Sequence, residues 1–147
     1  KMSMALAYLG QRKIGALIAI EREDRLKTYI DSGIEVDAKI SSEFVETIFT
    51  PNSPLHDGGV VVLGNKVAAA SCLFPLAQNP YLSHTLGTRH RAALGLSEET
   101  DAVVLIVSEQ TGMISLAVSG RMTQGLTREE LAQNLKNLLT VSQKDPA

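Results

Sequence analysis

Three short stretches carry polar residues that packing alone does not easily explain. The first is Leu55-His56-Asp57-Gly58-Gly59, at the mouth of an apolar run. Asp57 has the chemistry of a divalent-metal ligand or a general base, and His56 can serve as either. Gly58 and Gly59 lack a Cβ, so a ligand can approach the main chain there; Asp-Gly is equally a common turn dipeptide. The second stretch is Gly87-Thr88-Arg89-His90-Arg91-Ala92, where a helical pattern begins. A helix N-terminus presents free N–H groups and partial positive charge. Arg89, His90 and Arg91 oppose that dipole, which suits an incoming anion, and the planar arginine fork matches phosphate. Residues two apart on a helix point about 200° apart. Arg89 and Arg91 therefore cannot both grip one phosphate from within the helix, and one of them holds structure or reaches across an interface. The plainer alternative is a solvated basic turn. The third stretch, Ser108-Glu109-Gln110-Thr111-Gly112, follows another apolar run. Ser108 and Glu109 can hold a ligand or a metal there, or simply form a polar hairpin tip.

The elements that must position these residues are readable from periodicity. Residues 2–12 have apolar positions at helical spacing, and Ile14 to Glu21 reads as a buried strand. Ser41 to Phe49 reads as a short helix capped by Ser41 or Ser42, ended by Pro51 and Pro54. "GVVVL" and "VAAASCLF" are strands joined at Gly64-Asn65, and "AVVLIVS" and "MISLAV" are strands joined by "EQTG". Helical spacing returns at "RHRAALGLSEE" and at "TREELAQNLKNLL". The latter opens on a Thr127–Glu130 capping box and carries a stripe of Leu131, Leu135, Leu138 and Leu139. The tail "SQKDPA" reads as frayed. Strands in hairpins, with helices between and at both ends, predict an α/β protein of α+β type. Its expected architecture is a single domain over residues 1–147, with a mixed, mostly antiparallel central sheet surrounded by helices.

Composition narrows the function classes. The chain has 147 residues, 44% hydrophobic and 20% charged, as an ordinary globular domain does. A net charge of −2 gives no reason to expect a nucleic-acid polymer as partner, and leaves room for a small anionic ligand. The lone Cys72 cannot form an internal disulfide, which favours a reducing compartment, and its apolar neighbours mark it as a core residue. No apolar run approaches the ~18 residues of a membrane span, and no signal-peptide pattern is present. Walker A, GxGxxG, CxxC and HExxH patterns are absent. His84 reads as a surface loop residue, and Glu98, Glu99 and Asp101 as an exposed helix end.

"LHDGG", "GTRHRAA" and "SEQTG" in this order resemble the diadenylate cyclase (DAC) domain family, whose hallmarks are DGA and RHR motifs. "RKIGALIAIER", "GIEVDAKISSE", "PNSPLHDG" and "NKVAAASCLFPL" extend the resemblance across Met4 to Leu139. The membrane-anchored CdaA class is the most similar type. The resemblance implies condensation of two ATP into cyclic di-AMP with release of two pyrophosphates, by two domains facing each other as a homodimer. It implies a divalent cation, manganese or magnesium, with cobalt in some members. It places Asp57 on the catalytic aspartate, with Arg89, His90 and Arg91 in the RHR motif. His56 and Glu109 fall with Asp57 near metal-binding positions. Gly87, Thr88, Arg89 and His90 fall on the triphosphate-binding turn, beside Gly58, and Ser108 on another phosphate-proximal position. Ile14 and Leu73 fall where the adenine packs. It also implies a cytoplasmic domain tethered by a membrane segment ahead of Lys1; regulatory protein partners leave no mark in the sequence.

Three residues depart from the family pattern. Gly59 replaces the alanine of DGA, a loss of one methyl that should spare activity. Leu73 stands where related domains often have tyrosine. Gln110 stands where a second glutamate is often found, which leaves the metal role open between that position and Glu109. The rival reading is a nucleotide-binding sensor that keeps the pocket without the chemistry, and a third is a structural interaction domain that binds no ATP.

Overall fold

The protein is described by a computed structural model covering residues 2–78 and 86–144. Its elements are α1 (Met2–Gln11), β1 (Ala16–Ile20), α2 (Lys27–Asp31), β2 (Ile34–Lys39), α3 (Ser42–Phe49), β3 (Gly59–Leu63) and β4 (Lys66–Cys72), then α4 (Thr88–Glu99), β5 (Val103–Val107), β6 (Ile114–Val118), β7 (Arg121–Gln124) and α5 (Arg128–Lys144). A seven-stranded sheet in the order β2-β4-β3-β1-β5-β6-β7 runs through the middle. β1 lies parallel to β3, with Ile18 opposite Val60, and antiparallel to β5, with Leu17 opposite Ile106. The remaining pairings are antiparallel. This is the mixed, mostly antiparallel sheet that the hairpin pattern predicts.

β1 and β5 are apolar at every position because both their faces are covered. Ile18, Val60, Val62, Leu105 and Val107 meet Leu6 and Leu9 of α1, Ile48 and Phe49 of α3, and Leu131 and Leu135 of α5. On the other face, Leu17, Val61, Val104 and Ile106 meet Ala92, Ala93 and Leu96 of α4 and Tyr29 and Ile30 of α2. Strand residues alternate between two cores, as the period of two requires.

The caps behave as the residue types predict. Ser41 accepts the Phe44 N–H at 3.1 Å and starts α3. Thr127 and Glu130 bond reciprocally, at 2.9 and 3.0 Å, and start α5. That helix continues through Lys144, so the first part of the expected frayed tail is helical.

Three elements carry no clear signal in the sequence. β2 and β7 are the two edges of the sheet, and their exposure lets charged residues replace the alternating apolar pattern. β2 is also interrupted by a bulge between Glu35 and Ala38, where Asp37 takes a φ of 48°. α2 has five residues, too few for a helical period, and no side-chain cap.

Topology then brings four strand ends to one edge of the sheet. The starts of parallel β1 and β3 lie beside the ends of antiparallel β5 and β4, with Ala16 opposite Val107 and Gly59 opposite Cys72. The three motif stretches sit at or beside these ends: "LHDGG" enters β3, "SEQTG" leaves β5, and "GTRHRA" begins α4, which packs across β5 and β1.

Candidate active site

At this edge lies a cleft of about 670 Å³, within the range of small-molecule sites. Leu17, Leu73, Phe74, Leu76 and Ala92 give it an apolar side, and Asp57, Ser71, Thr88, Arg89 and Glu109 a polar one. A recess of about 120 Å³ adjoins it through Thr88, Arg89 and Glu109 and is lined further by Gly87, His90, Ser108 and Gln110.

The loop before β3 is folded on Ser53, whose hydroxyl accepts the Leu55 N–H at 3.1 Å. The Ser53 carbonyl accepts the His56 backbone N–H at 3.3 Å and lies 2.7 Å from His56 Nδ1. A carbonyl only accepts, so Nδ1 carries the proton and Nε2 of the neutral ring keeps its lone pair. Asp57 is exposed on the cleft, and its Oδ1 accepts the N–H of Gly58 at 3.1 Å. Gly58 has a φ of 81°, and a Cβ there would stand 2.9 Å from the Cys72 carbonyl oxygen. Glycine is thus required where the loop turns Asp57 toward the cleft.

Across the cleft, α4 starts on Gly87 with no acidic residue in its first turn. Arg89 Nη1 lies 3.3 Å from Glu109 Oε1. His90 is buried; burial, then the charge of Arg89, lowers its pKa from the ordinary 6.5. The hairpin tip holds its shape through Ser108, whose hydroxyl accepts the Gln110 and Thr111 N–H groups at 3.2 Å.

Leu73 is 71% exposed on a fixed main chain, because its N–H donates to Ser32 Oγ at 2.9 Å. A held, exposed aliphatic face beside a polar wall suits one side of a flat heterocycle. Just before it, Ala70 and Ser71 together face Val60 in a bulge. Ser71 adopts a φ of 55°, uncommon for a non-glycine residue, and its buried hydroxyl has no hydrogen-bond partner among the described residues. Bulges and strained residues of this kind gather at functional sites, where they re-aim side chains.

The fold thus brings Asp57, Gly58, Leu73, Thr88, Arg89 and Glu109 to one cleft, with Gly87, His90 and Ser108 in its recess. Three other candidates sit elsewhere. Ile14 packs against the core shared by α1, α3 and α5. Arg91 lines neither space, as the helical angle between it and Arg89 predicts, and its carbonyl accepts the Ala77 N–H at 2.9 Å. His56 lies outside the cleft lining. Cys72 is buried, and burial raises its thiol to about 11, which suits a core residue and not a nucleophile. Glu99 accepts the Tyr29 hydroxyl at 3.2 Å, while Asp101 accepts the Glu23 and Asp24 N–H groups, so these acids hold structure. His84 lies outside the described residues.

Among the described residues, no three His, Cys, Asp or Glu side chains stand together as a ready metal cage. The donors nonetheless fit a divalent cation completed by a ligand's own oxygens. Asp57 and Glu109 offer carboxylates on one cleft. The His56 ring, held at Nδ1 by the Ser53 carbonyl, lies outside the cleft lining. An oxygen donor set of this kind is compatible with magnesium or manganese.

Comparison with known proteins adds to this geometry. Residues 3–122 match the family described as "DAC: DisA bacterial checkpoint controller nucleotide-binding". The chain belongs to the DAC family. This DAC chain is 49% identical over 141 residues to a diadenylate cyclase of Listeria monocytogenes, covering 95% of the chain and 52% of that protein. Its identity to the cyclic di-AMP synthase CdaA of Bacillus subtilis is 48% over 135 residues, covering 92% and 50%. A double cysteine variant of DacA from Staphylococcus aureus has the same fold, with a TM-score of 0.92 at 44% identity, covering 94% of this chain and 92% of that one. A hypothetical membrane spanning protein from Bacillus cereus gives a TM-score of 0.82 at 42% identity, covering 85% and 61%. The DAC chain spans about half the length of the curated relatives it matches. No helix among its described residues is long and apolar enough to cross a membrane.

Two groups at the site carry little signal in the sequence. Ser71 and Leu76 line the cleft through the bulge and exit of β4, which apolar periodicity conceals. Gly15 lies against the Arg89 guanidinium, and its place before β1 gives no hint of that contact.

Proposed function

We propose that this chain is the cyclase domain of a diadenylate cyclase, which binds one ATP and condenses it with the ATP of a second copy into cyclic di-AMP. The observation that carries this reading is the meeting of Asp57, Arg89 and Glu109 around one cleft that has an apolar wall at Leu73 and Leu76. The curated relatives that bear the names diadenylate cyclase and cyclic di-AMP synthase support it.

The adenine lies against Leu73 and the apolar wall. The triphosphate runs toward the first turn of α4, where the helix N-terminus, Thr88 and Arg89 balance its charge. Ser108 and His90 border its far end. Asp57 receives the proton of the ribose 3′-hydroxyl as that oxygen attacks the α-phosphate of the facing ATP. The bond from that phosphorus to the bridging oxygen breaks, and pyrophosphate carries away the electron pair. Two such transfers, one from each copy, close the ring. Asp57 and Glu109 are the cleft groups that would hold a divalent ion together with phosphate oxygens. When bound, such an ion lowers the pKa of the hydroxyl and neutralises charge on the phosphates. Positioning and charge balance are the main demands of phosphoryl transfer, and the cleft residues supply both. In the whole protein this domain is cytoplasmic and tethered through a segment ahead of α1, in keeping with the membrane spanning description of one structural neighbour.

Incubation with ATP and either Mn²⁺ or Mg²⁺, followed by chromatography and mass analysis, tests the reading. Cyclic di-AMP is expected from the wild type and not from Asp57→Asn, which keeps ATP binding. Bound ATP without product, across metals and protein concentrations, would instead identify a nucleotide sensor.

A further inference from the structure

Gly15 precedes β1 and is buried, yet nothing in its backbone calls for glycine: its φ is not among the positive values. What distinguishes the position is its neighbour. A Cβ built on Gly15 would stand 2.5 Å from Arg89 Cζ, 2.5 Å from Nη1 and 2.9 Å from Nη2. Near-equal distances to three atoms of one planar group mean that the guanidinium lies with its face on Gly15. Beside it, Nη1 lies 3.3 Å from Glu109 Oε1 in an ion pair. The side chain of Arg89 is only 24% exposed, although it lines both the cleft and the recess. A long, rotamer-rich side chain is thus fixed by two contacts, a hollow in the main chain on its face and a carboxylate beside Nη1.

We propose that Gly15 is a positioning residue for the reaction: its missing side chain forms the seat that aims the Arg89 guanidinium at the triphosphate. The inference rests on the triphosphate role given to Arg89 above. Any side chain at position 15 lifts the fork from its seat. The displaced group is the far end of a flexible side chain, so Gly15→Ala disturbs ligand binding far more than folding. Glycine at the start of a strand, where another group approaches closely, is the expected device for such a seat.

The test is a double-mutant cycle on Gly15→Ala and Arg89→Ala, read by titration with 3′-deoxy-ATP, which lacks the attacking hydroxyl, and with adenosine, which lacks phosphate. Gly15→Ala is expected to weaken 3′-deoxy-ATP binding about tenfold or more, the worth of a charge-assisted hydrogen bond. Adenosine binding should stay at the wild-type value, and the melting temperature within about 4 °C. In the Arg89→Ala background the same glycine change should do nothing further. Wild-type 3′-deoxy-ATP affinity in Gly15→Ala, with Arg89→Ala impaired, overturns the seat alone. Wild-type affinity in Arg89→Ala overturns the triphosphate reading and the seat with it. An unfolded Gly15→Ala that Arg89→Ala restores supports the contact; if the double variant also fails to fold, Gly15 is structural and the proposal falls.

Discussion

His90 shows how one burial sets a pH response. Its imidazole lies in the first turn of α4, where burial first and the Arg89 charge second keep its pKa below 6.5. The unfolded chain takes up this proton near 6.5, and the folded chain only at lower pH. Stability from neutral His90 is therefore fully present above 6.5 and is lost as pH falls through the lowered folded value. The melting temperature should drop as pH falls below about 6.5, and drop less in His90→Gln, whose side chain does not titrate. Equal slopes in the two proteins would remove His90 from this role.

Among the elements, the β3–β4 pair accounts for the departure at Gly59. The sequence suggests a harmless missing methyl, but a Cβ on Gly59 would stand 2.4 Å from Phe74 Cε2. Phe74 is buried and packs edge-on against Tyr29, with ring centroids 6.0 Å apart, so a Cβ on Gly59 would force the ring out of that contact, toward the cleft it also lines. Gly59 and Phe74 are a matched pair in which the ring fills the space an alanine side chain would take. Gly59→Ala should destabilise by about 1–3 kcal/mol through overpacking. Adding Phe74→Leu should recover much of that loss, as measured by denaturant midpoints. Losses that merely add would show that the two positions are independent.

For the whole molecule, the proposed condensation of two ATP turns on how many nucleotides one chain can hold. The cleft faces a single α4 N-terminus and a single Asp57, enough for one triphosphate and one attacking hydroxyl. If the proposed condensation holds, it requires a second cleft, so the rate per protomer should rise with protein concentration and level off when dimers saturate. Activity assays across a dilution series, paired with sedimentation, would show this; constant specific activity from a proven monomer would contradict it.

Strong local preferences made the helices, the hairpins and the caps at Ser41 and Thr127 legible in the sequence, because buried faces impose periods of two and 3.6 and caps need particular side chains. The motif residues around Asp57 and Arg89 were legible too, since polar groups at element ends have few packing reasons to be there. Edge strands β2 and β7 were not, because an exposed edge tolerates charge and erases the alternation. Tertiary structure alone decided which candidates share a cleft. It separated Leu73, on the cleft, from Ile14, in the core on the other face of the sheet, whereas helical spacing had already set Arg89 apart from Arg91. Only folding could seat a guanidinium from α4 on Gly15, 74 residues earlier in the chain, because that contact depends on distance in space and not in sequence.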